Sequence, residues 1–458
     1  MRLLALALLF CSFASINVAA DRLPNIVFVL ADDLGYGDLS CFGQQRFTTP
    51  RLDELAARGM KLTQHYAGST VCAPSRCALM TGLHTGHCAV RGNRERQPEG
   101  QEPMPGDAVT MADLLKRAGY ATGAFGKWGL GYPGSESDPL RSGFDEFFGY
   151  NCQRHAHRYY TDYLWDGDRR IDIESDVYTH DLIFDRALDF IRDHQDGPFF
   201  CFLPVTLPHA AMEAPEEDRA PFRQEFAQFE NNVGKYAGAE VVNPIASFPA
   251  MVRRLDGDVG RLVDLLGELG IDDNTIVVFT SDNGPHREGG HDPEFFDSNG
   301  PLRGHKRDLY EGGVRAPTIV SWPGHVAAGV ESDILSAGWD WLPTFCELAG
   351  DTTPGGLDGV SLAPTLTGAG EQQQHAYLYW EFHEQGGKQA VRRGPWKAVR
   401  LGANKNPHAA PELYNLDNDP GETTNLAESE PAILAELVQL MAEAHRPAPS
   451  YGFGTAKR

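Results

Sequence analysis

Leu23-Pro24-Asn25-Ile26-Val27-Phe28-Val29-Leu30-Ala31-Asp32-Asp33 is a continuous apolar run that ends in two carboxylates. Such a run is typical of a strand buried on both faces of a parallel sheet, and the carboxyl ends of these strands are where open α/β sheets bind ligands. Neighbouring strand residues point to opposite faces, so both carboxylates can converge only where the strand gives way to a loop. The run therefore predicts an α/β fold with ligands at this strand end, although an Asp-Asp pair can also cap a helix or turn.

A second run, Ile276-Val277-Val278-Phe279-Thr280-Ser281-Asp282-Asn283-Gly284, repeats the arrangement. Alone, its last three residues would more often form a turn, but a buried strand before them and a matching Asp-Asp pair elsewhere favour a metal site. The combined ligands would be three carboxylates and one amide, from Asp32, Asp33, Asp282 and Asn283. An all-oxygen set suits Ca²⁺ best and Mg²⁺ second, and does not suit zinc.

Helix and strand signals alternate along most of the chain, which predicts a large mixed, mainly parallel sheet covered by helices on both faces. A capping threonine followed by proline predicts that one helix begins at Thr49-Pro50. The other predicted helices are Met111–Arg117, Tyr178–Asp193 and Met251–Leu269, and the predicted strands are Ala121–Trp128, Pro198–Leu203, Thr275–Thr280 and Thr318–Ser321.

Beyond about Thr367 the pattern changes to short alternating runs, Tyr377–Phe382 and Gln389–Val399, and a final helix, Ala432–Glu443. This predicts a small antiparallel sheet packed with a C-terminal helix. The predicted organisation is a catalytic domain over residues 21–367 and a C-terminal subdomain over residues 368–458.

The first 20 residues have the pattern of a signal peptide: Met1-Arg2, an apolar run to Phe10, and Val18-Ala19-Ala20 as a small-residue cleavage site. The apolar run is too short to span a membrane. We therefore expect export to the periplasm or the extracellular space. Besides Cys72, the mature chain would keep six cysteines that could form up to three disulfides or remain free thiols, namely Cys41, Cys77, Cys88, Cys152, Cys201 and Cys346.

The formal net charge of −23 argues against nucleic acid or an anionic membrane as a partner. Any site for an anion must therefore be locally basic.

Val71-Cys72-Ala73-Pro74-Ser75-Arg76-Cys77-Ala78-Leu79-Met80-Thr81-Gly82 places a cysteine where a loop is predicted to become a helix. Unpaired backbone N–H groups at such a helix start can bind an anion. A bare Cys-Arg pair would more often be a buried thiol and a solvated helix residue.

The longer pattern, Cys72-x-Pro-Ser-Arg followed by Leu-Met-Thr-Gly, resembles the signature of the type I sulfatases of the alkaline phosphatase superfamily. The resemblance implies that a formylglycine-generating enzyme oxidises Cys72 to formylglycine, whose hydrated aldehyde is the nucleophile. It extends over most of the chain, from Asn25 to the Asp419-Pro420-Gly421-Glu422 turn.

The resemblance also implies a role for each residue that matches the family's site. The metal ligands would be Asp32, Asp33, Asp282 and Asn283, with modified Cys72 also reaching the ion. Arg76, Lys127 and Lys306 would bind the sulfate group, Asp282 would draw a proton from the aldehyde hydrate, and His209 would protonate the leaving-group oxygen. Three cations facing a monoanionic sulfate ester would make the site locally basic on an acidic protein.

One position departs from the family pattern. Many sulfatases have Gly-Lys-x-His-Leu-Gly where this chain has Gly126-Lys127-Trp128-Gly129-Leu130-Gly131, so the histidine usually assigned to opening the sulfated hemiacetal is missing. Water, or His155 or His157, would take its role, or Gly129 would admit more of the substrate.

Two stretches mix aromatic and hydrogen-bonding groups, as sugar binding requires, although an exposed loop can have the same composition. The candidate substrate residues in them are His155, His157, Arg158, Glu381, His383 and Glu384. Together with the resemblance they predict a sulfatase that acts on a sulfated carbohydrate, with galactose or N-acetylgalactosamine sulfates favoured. The alternatives are a phosphomonoester or phosphonate hydrolase of the same superfamily and a catalytically silent sulfoglycan-binding protein.

Overall fold

The computed structural model describes residues 22–454, so the predicted signal peptide lies outside the described residues. The strands are numbered here in chain order. They are β1 (Asn25–Ala31), β2 (Met60–Leu62), β3 (His65–Tyr66), β4 (Ala121–Lys127), β5 (Glu146–Tyr150), β6 (Tyr163–Asp166), β7 (Arg169–Asp172), β8 (Phe199–Pro204), β9 (Val233–Gly234), β10 (Val241–Val242), β11 (Thr275–Ser281), β12 (Thr318–Ser321), β13 (Val330–Ser332), β14 (Ser336–Ala337), β15 (Leu378–Phe382), β16 (Lys388–Arg393), β17 (Trp396–Leu401) and β18 (Glu412–Asn415).

The α-helices are numbered in the same way. They are α1 (Pro50–Ala57), α2 (Cys72–Thr81), α3 (Met111–Arg117), α4 (Thr179–Asp193), α5 (Glu216–Glu225), α6 (Pro244–Leu269), α7 (Pro293–Phe296), α8 (Glu311–Val314), α9 (Trp341–Leu348), α10 (Ala363–Thr367) and α11 (Pro431–Ala444). No helix between residues 22 and 454 is both long enough and apolar enough to cross a membrane.

Ten strands form the main sheet, in the order β13-β2-β12-β11-β1-β8-β4-β5-β6-β7. The five central strands, β11, β1, β8, β4 and β5, run parallel, and antiparallel strands flank them on both sides. Alternate residues of β1 enter two hydrophobic cores, one on each face of the sheet, and helices supply the other side of each core. This confirms the predicted fold class, a mixed and mainly parallel sheet between helices.

The register of the two central strands positions the site. β1 and β11 are buried throughout and pair in parallel so that Ala31 lies opposite Ser281. Asp32 and Asp282 therefore leave the sheet at the same level. The Asp282 N–H donates to the Ala31 carbonyl at 3.0 Å, which extends the ladder by one residue.

The C-terminal sheet has four antiparallel strands in the order β15-β16-β17-β18, and α11 packs on one face of it. Its other face shares a hydrophobic cluster with the main domain, in which Trp380 of β15 lies with Ala78 of α2 and Trp339. The small antiparallel sheet and its helix are thus confirmed, and they support α2 directly. The domain boundary at residue 367 stays a prediction.

Several element bounds differ from those predicted. The helix predicted to start at Met251 begins at Pro244, because the Asn243 side chain caps it by accepting from the Ala246 N–H and the helix continues through Pro249. The run Gln389–Val399 is two strands, since the chain turns at Gly394, whose φ of 55° suits glycine. The seven cysteines between residues 22 and 454 are all free thiols.

A buried ion-pair network joins the C-terminal sheet to α8. Lys397 of β17 donates to Glu311 at 2.8 Å and lies 3.1 Å from Glu422, and the Glu311 N–H donates to Glu422 at 2.6 Å. Burial raises the pKa of Glu422 to about 7, with Lys397 opposing the shift and Glu311 adding to it. Burial opposes ionisation of Glu311 as well, but Lys397 and Arg392 lower its pKa to about 2.

This network predicts how stability depends on pH. A carboxyl whose pKa rises on folding from 4.5 to about 7 favours the folded state below pH 4.5, and this contribution is lost as pH rises through 7. Glu422→Gln has no such proton to lose, so between pH 4.5 and 8 its free energy of unfolding should fall less than that of the wild type, by about 1–3 kcal/mol.

Urea unfolding at pH 5 and pH 8 measures the difference. Glu436→Gln, which changes an exposed carboxylate paired with Arg393, is the matched control and should follow the wild type. Parallel pH dependence in all three proteins would contradict the assignment to Glu422.

Candidate active site

The two aspartates after β1 converge because the backbone turns between them. Asp33 has a φ of 65°, in the left-handed region that few residues other than glycine adopt. The Asp32 N–H donates to the Leu207 carbonyl at 3.0 Å, and the Asp33 N–H donates to Asp282 Oδ1 at 3.1 Å. Both side chains are buried at the carboxyl end of the sheet.

Cys72 is the first residue of α2, and all ten residues of this helix are buried. The Ala73 N–H donates to Asn93 Oδ1 at 3.0 Å, and the helix ends at Gly82 with a φ of 68°. The Cys72 thiol is 1% exposed and donates to Asp32 Oδ1 at 3.4 Å. The helix start thus presents Cys72 directly to the strand-end carboxylates.

Three buried cations pair with these carboxylates. Arg76 donates from Nε and Nη2 to Asp282 Oδ2 at 3.1 and 2.8 Å. Lys127, the last residue of β4, donates to Asp32 Oδ2 at 2.6 Å, and Lys306 donates to Asp33 Oδ2 at 2.7 Å. These three cations balance the three carboxylates. A bound divalent ion would therefore give the site a net positive charge.

His209 completes this side of the site. Its Nε2 lies 3.2 Å from Asp33 Oδ2 and 3.0 Å from Lys306 Nζ. Its Nδ1 contacts the Ala210 carbonyl, which can only accept, so Nδ1 carries the hydrogen and the Nε2 lone pair faces Lys306. The ring of His157 stacks on it, with centroids 4.3 Å apart and planes 3° apart.

Burial and neighbouring charges determine which of these groups are ionised. Burial would raise the pKa of Asp32, but Lys127 and the other cations hold it well below its usual value. Burial raises the pKa of Asp282 to about 6, and the charge of Asp32 adds to this. Burial would lower the pKa of Lys306, yet Asp33 holds it well above normal. Burial, with Lys306 adding to it, holds the pKa of His209 well below its usual value, so His209 is neutral.

The donor set fits a hard divalent cation. Asn283 donates from Nδ2 to Asp33 Oδ1 at 2.6 Å, whereas its Oδ1 is buried and accepts from no donor in residues 22–454. A buried acceptor without a donor is costly, and a cation would satisfy it. Asp32, Asp33, Cys72 and His209 also offer ligand atoms within 4.8 Å of one another.

Two known protein families match the described part of the chain. The sulfatase family matches residues 24–351, and the C-terminal region of N-sulphoglucosamine sulphohydrolase matches residues 304–446. The chain belongs to the sulfatase family. It is therefore a sulfuric ester hydrolase of the type I sulfatases within the alkaline phosphatase superfamily, as the sequence predicted.

Individual relatives agree with this assignment. The sulfatase is 32% identical to human arylsulfatase A over 93% of this chain and 88% of the relative. It is 35% identical to rat N-acetylgalactosamine-6-sulfatase over 76% of this chain and 66% of the relative. A crystal structure of Ps i-CgsB in complex with k-i-k-neocarrahexaose superposes with a TM-score of 0.79 at 29% identity and covers 92% of both chains.

The structure brings together all the residues proposed for chemistry and metal binding, but it separates the proposed substrate residues. His157 lies against His209. His155 instead stacks on Tyr163, with centroids 3.9 Å apart, and its Nε2 lies 2.7 Å from Thr161 Oγ1. Arg158 donates to the Ala237 carbonyl at 3.0 Å.

Glu381 and His383 lie in a different part of the sulfatase. Glu381 is fully buried, accepts from Arg91 at 2.7 Å and contacts His383 and His445 at 2.8 and 2.7 Å. Glu384 accepts from the Asn93 N–H at 2.9 Å. Glu381 and His383 thus contact other residues of the protein. Glu384 joins the C-terminal sheet to Asn93, which accepts from the first turn of α2.

The space beside Gly129 is filled by a glutamine. Gly129 has a φ of 75°, and a β-carbon built on it would lie 2.9 Å from both Cγ and Nε2 of Gln153. The histidine that many sulfatases have at this position could not fit here without moving Gln153. The buried Nε2 of Gln153 has no acceptor in the described part of the chain.

Sequence reasoning missed four residues near the site: Gln153, Tyr236, Glu288 and Arg307. Tyr236 packs against His157 and His209, with ring centroids 5.2 and 5.6 Å apart. Glu288 contacts Arg307, which follows Lys306. One signal was present, since Glu288 follows the predicted metal ligand Asn283 by only five residues.

Proposed function

We propose that this protein is an exported sulfatase that removes sulfate from a carbohydrate, with formylglycine made from Cys72 as nucleophile and Ca²⁺ as metal ion. The observation that carries the proposal is the position of Cys72, buried at the start of α2 and in contact with Asp32. Cys72 belongs to none of the hydrophobic clusters between residues 22 and 454, and its thiol faces the predicted metal ligand Asp32.

Formylglycine would supply a hydrated aldehyde whose oxygen attacks sulfur in line. The chain's own residues prepare this attack. Asp282 would draw off a proton, because it leaves the sheet at the same level as Asp32, which contacts Cys72. Arg76 holds the Asp282 carboxylate in place with two hydrogen bonds.

The sulfate group would bind among Arg76, Lys127 and Lys306, whose positive charges oppose the negative charge that grows on its oxygens. Asp32, Asp33, Asp282 and Asn283 would hold the ion, and a bound divalent cation supplies further positive charge there. All four ligands provide oxygen, which favours calcium over zinc.

His209 and Lys306 would act on the leaving-group side. Because the Nε2 lone pair of His209 faces Lys306 Nζ at 3.0 Å, this ring nitrogen can take a proton from the ammonium and pass it to the leaving group. A departing alkoxide needs this proton, since it is a strong base.

Two relatives support a carbohydrate substrate. One is N-acetylgalactosamine-6-sulfatase, and the other is Ps i-CgsB, whose crystal structure contains a neocarrahexaose. We therefore propose sulfate esters of galactose or N-acetylgalactosamine as the substrate class. The maturation enzyme that modifies Cys72 would be the protein partner.

A panel of position-defined galactose and N-acetylgalactosamine sulfates tests this proposal, with sulfate release as the measurement. The matching phosphate esters are included because sulfate and phosphate have similar shapes. Faster hydrolysis of a sulfated sugar supports the proposal. Preference for the phosphate ester would replace it with a phosphomonoesterase, and no turnover by protein with modified Cys72 would favour a binding protein.

His209→Ala should separate two kinds of leaving group. For a sugar sulfate the rate should fall by about 10²–10⁴-fold, whereas for a nitrophenyl sulfate it should fall far less, because a phenolate leaves without a proton. Steady-state kinetics on both substrates measures the ratio. His408→Ala changes an exposed histidine and should leave both rates unchanged. Equal losses on both substrates would exclude His209 as the acid.

A further inference from the structure

Glu288 lies in the loop that follows the metal-ligand segment after β11. Its N–H donates to His286 Nδ1 at 3.1 Å, and its Oε1 accepts from Arg307. The carboxylate is largely buried, with 18% of its side chain exposed. One of its two oxygens is thus accounted for by an ion pair.

The second oxygen, Oε2, is buried and has no hydrogen-bond donor in residues 22–454. Oε2 lies 3.5 Å from His286 Nδ1. That nitrogen already accepts from the Glu288 N–H, and His286 Nε2 lies 3.2 Å from the Pro208 carbonyl, to which it can only donate. The His286 ring therefore carries its hydrogen on Nε2, and Nδ1 has no hydrogen to donate to Glu288 Oε2.

The Glu288 carboxylate borders the leaving-group side of the site. A carboxylate oxygen of Glu288, one of Asp33 and a ring nitrogen of His286 lie within 4.8 Å of one another. Asp33 in turn contacts His209 and Lys306. Tyr236, which is 36% exposed and packs against His209, forms an aromatic wall beside them.

We propose that Glu288 Oε2 accepts a hydrogen bond from a hydroxyl of the substrate, close to the sulfated oxygen. This inference rests on the proposed sulfatase function and defines its substrate class. Because Arg307 already balances the charge of Glu288, a neutral donor satisfies the oxygen. A second sulfate at the same place would instead meet a carboxylate and be rejected.

The expected change in rate follows from the strength of the hydrogen bond that Glu288 would accept. A hydrogen bond to a charged group contributes about 1.5–3 kcal/mol, which corresponds to about 10- to 150-fold in rate. A substrate that lacks this donor would leave Oε2 buried and unpaired, so the enzyme should discriminate against it.

The test uses the galactose monosulfate that the wild type hydrolyses fastest and its monodeoxy analogues, each with one hydroxyl replaced by hydrogen. For the wild type, kcat/KM should fall about 10- to 150-fold for one analogue. In Glu288→Ala, kcat/KM for the parent sugar should fall to nearly that of the analogue, and the difference between the two should shrink to less than about threefold.

Two variants make the result decisive. Glu294→Ala removes an exposed carboxylate paired with Arg287 in the same region and should keep the wild-type discrimination. Glu288→Gln keeps the side-chain shape, so it answers the question if Glu288→Ala fails to fold, and it should weaken the discrimination.

Discrimination that persists in both Glu288 variants, or no discrimination by the wild type among all the analogues, would overturn the role of Glu288. In that case sulfate release by the wild type would still support the proposed function. Failure of the wild type to release sulfate from any of these sugars would overturn both.

Discussion

Cys72→Ala should lower turnover by about 10⁴-fold or more and leave the fold intact, because the proposed nucleophile is built on that one side chain. The side chain is buried, but it lies at the first position of α2 and contributes one sulfur atom to the packing. We expect the midpoint of thermal unfolding to change by only a few degrees. Sulfate release and calorimetry measure the two quantities separately.

Cys77→Ala is the matched control for this experiment. Cys77 is also a buried cysteine of α2, but it packs in a hydrophobic core with residues of β1 rather than against the strand-end carboxylates. It should therefore keep its rate and lose some stability. The mass of the Cys72 peptide shows whether the wild type has been modified. Full activity of Cys72→Ala would contradict the proposed mechanism.

Exhaustive chelation should produce the second large loss, because Asp32, Asp33 and Asp282 would then face one another without an ion. Activity should return better with Ca²⁺ than with Zn²⁺. Asp33→Ala should lose both bound metal and turnover, since Asp33 is also the partner of Lys306 and Asn283.

Elemental analysis of the purified protein gives a readout that does not depend on activity. The wild type should carry about one equivalent of metal and Asp33→Ala almost none. Asp264→Ala, which alters an exposed aspartate, should bind metal as the wild type does. A chelated protein that keeps its full rate would show that the metal assignment is wrong.

The parts of the fold that the sequence predicted are those with a strong local pattern. β1 and β11 are seven-residue strands buried at every position, so their apolar runs are unambiguous. Convergence of Asp32 and Asp33 was predicted at the end of the strand, and the φ of 65° at Asp33 is the turn that achieves it. The hairpin of β6 and β7 was missed because each strand has only four residues and β7 is largely polar.

The substrate-binding residues were harder to predict, because contacts with residues distant in the sequence determine which side chains are free to bind a substrate. Glu381 and His383 have the composition of a sugar-binding loop, yet Arg91, 290 positions earlier in the chain, pairs with Glu381. Conversely, Glu288 stands out only once it is known which of its oxygens has a donor. Local composition contains neither fact.

Complete burial of α2 has a consequence for how the protein is made. A modifying enzyme cannot reach a side chain that is 1% exposed, and the packing around α2 includes Trp380 and Tyr414, which are synthesised much later. At about 5–20 residues per second, the ~340 residues from Cys72 to Tyr414 take roughly 20–70 s to emerge. Under the proposed function, that interval is the time in which Cys72 can be oxidised, and a chain that folds first would remain permanently a thiol.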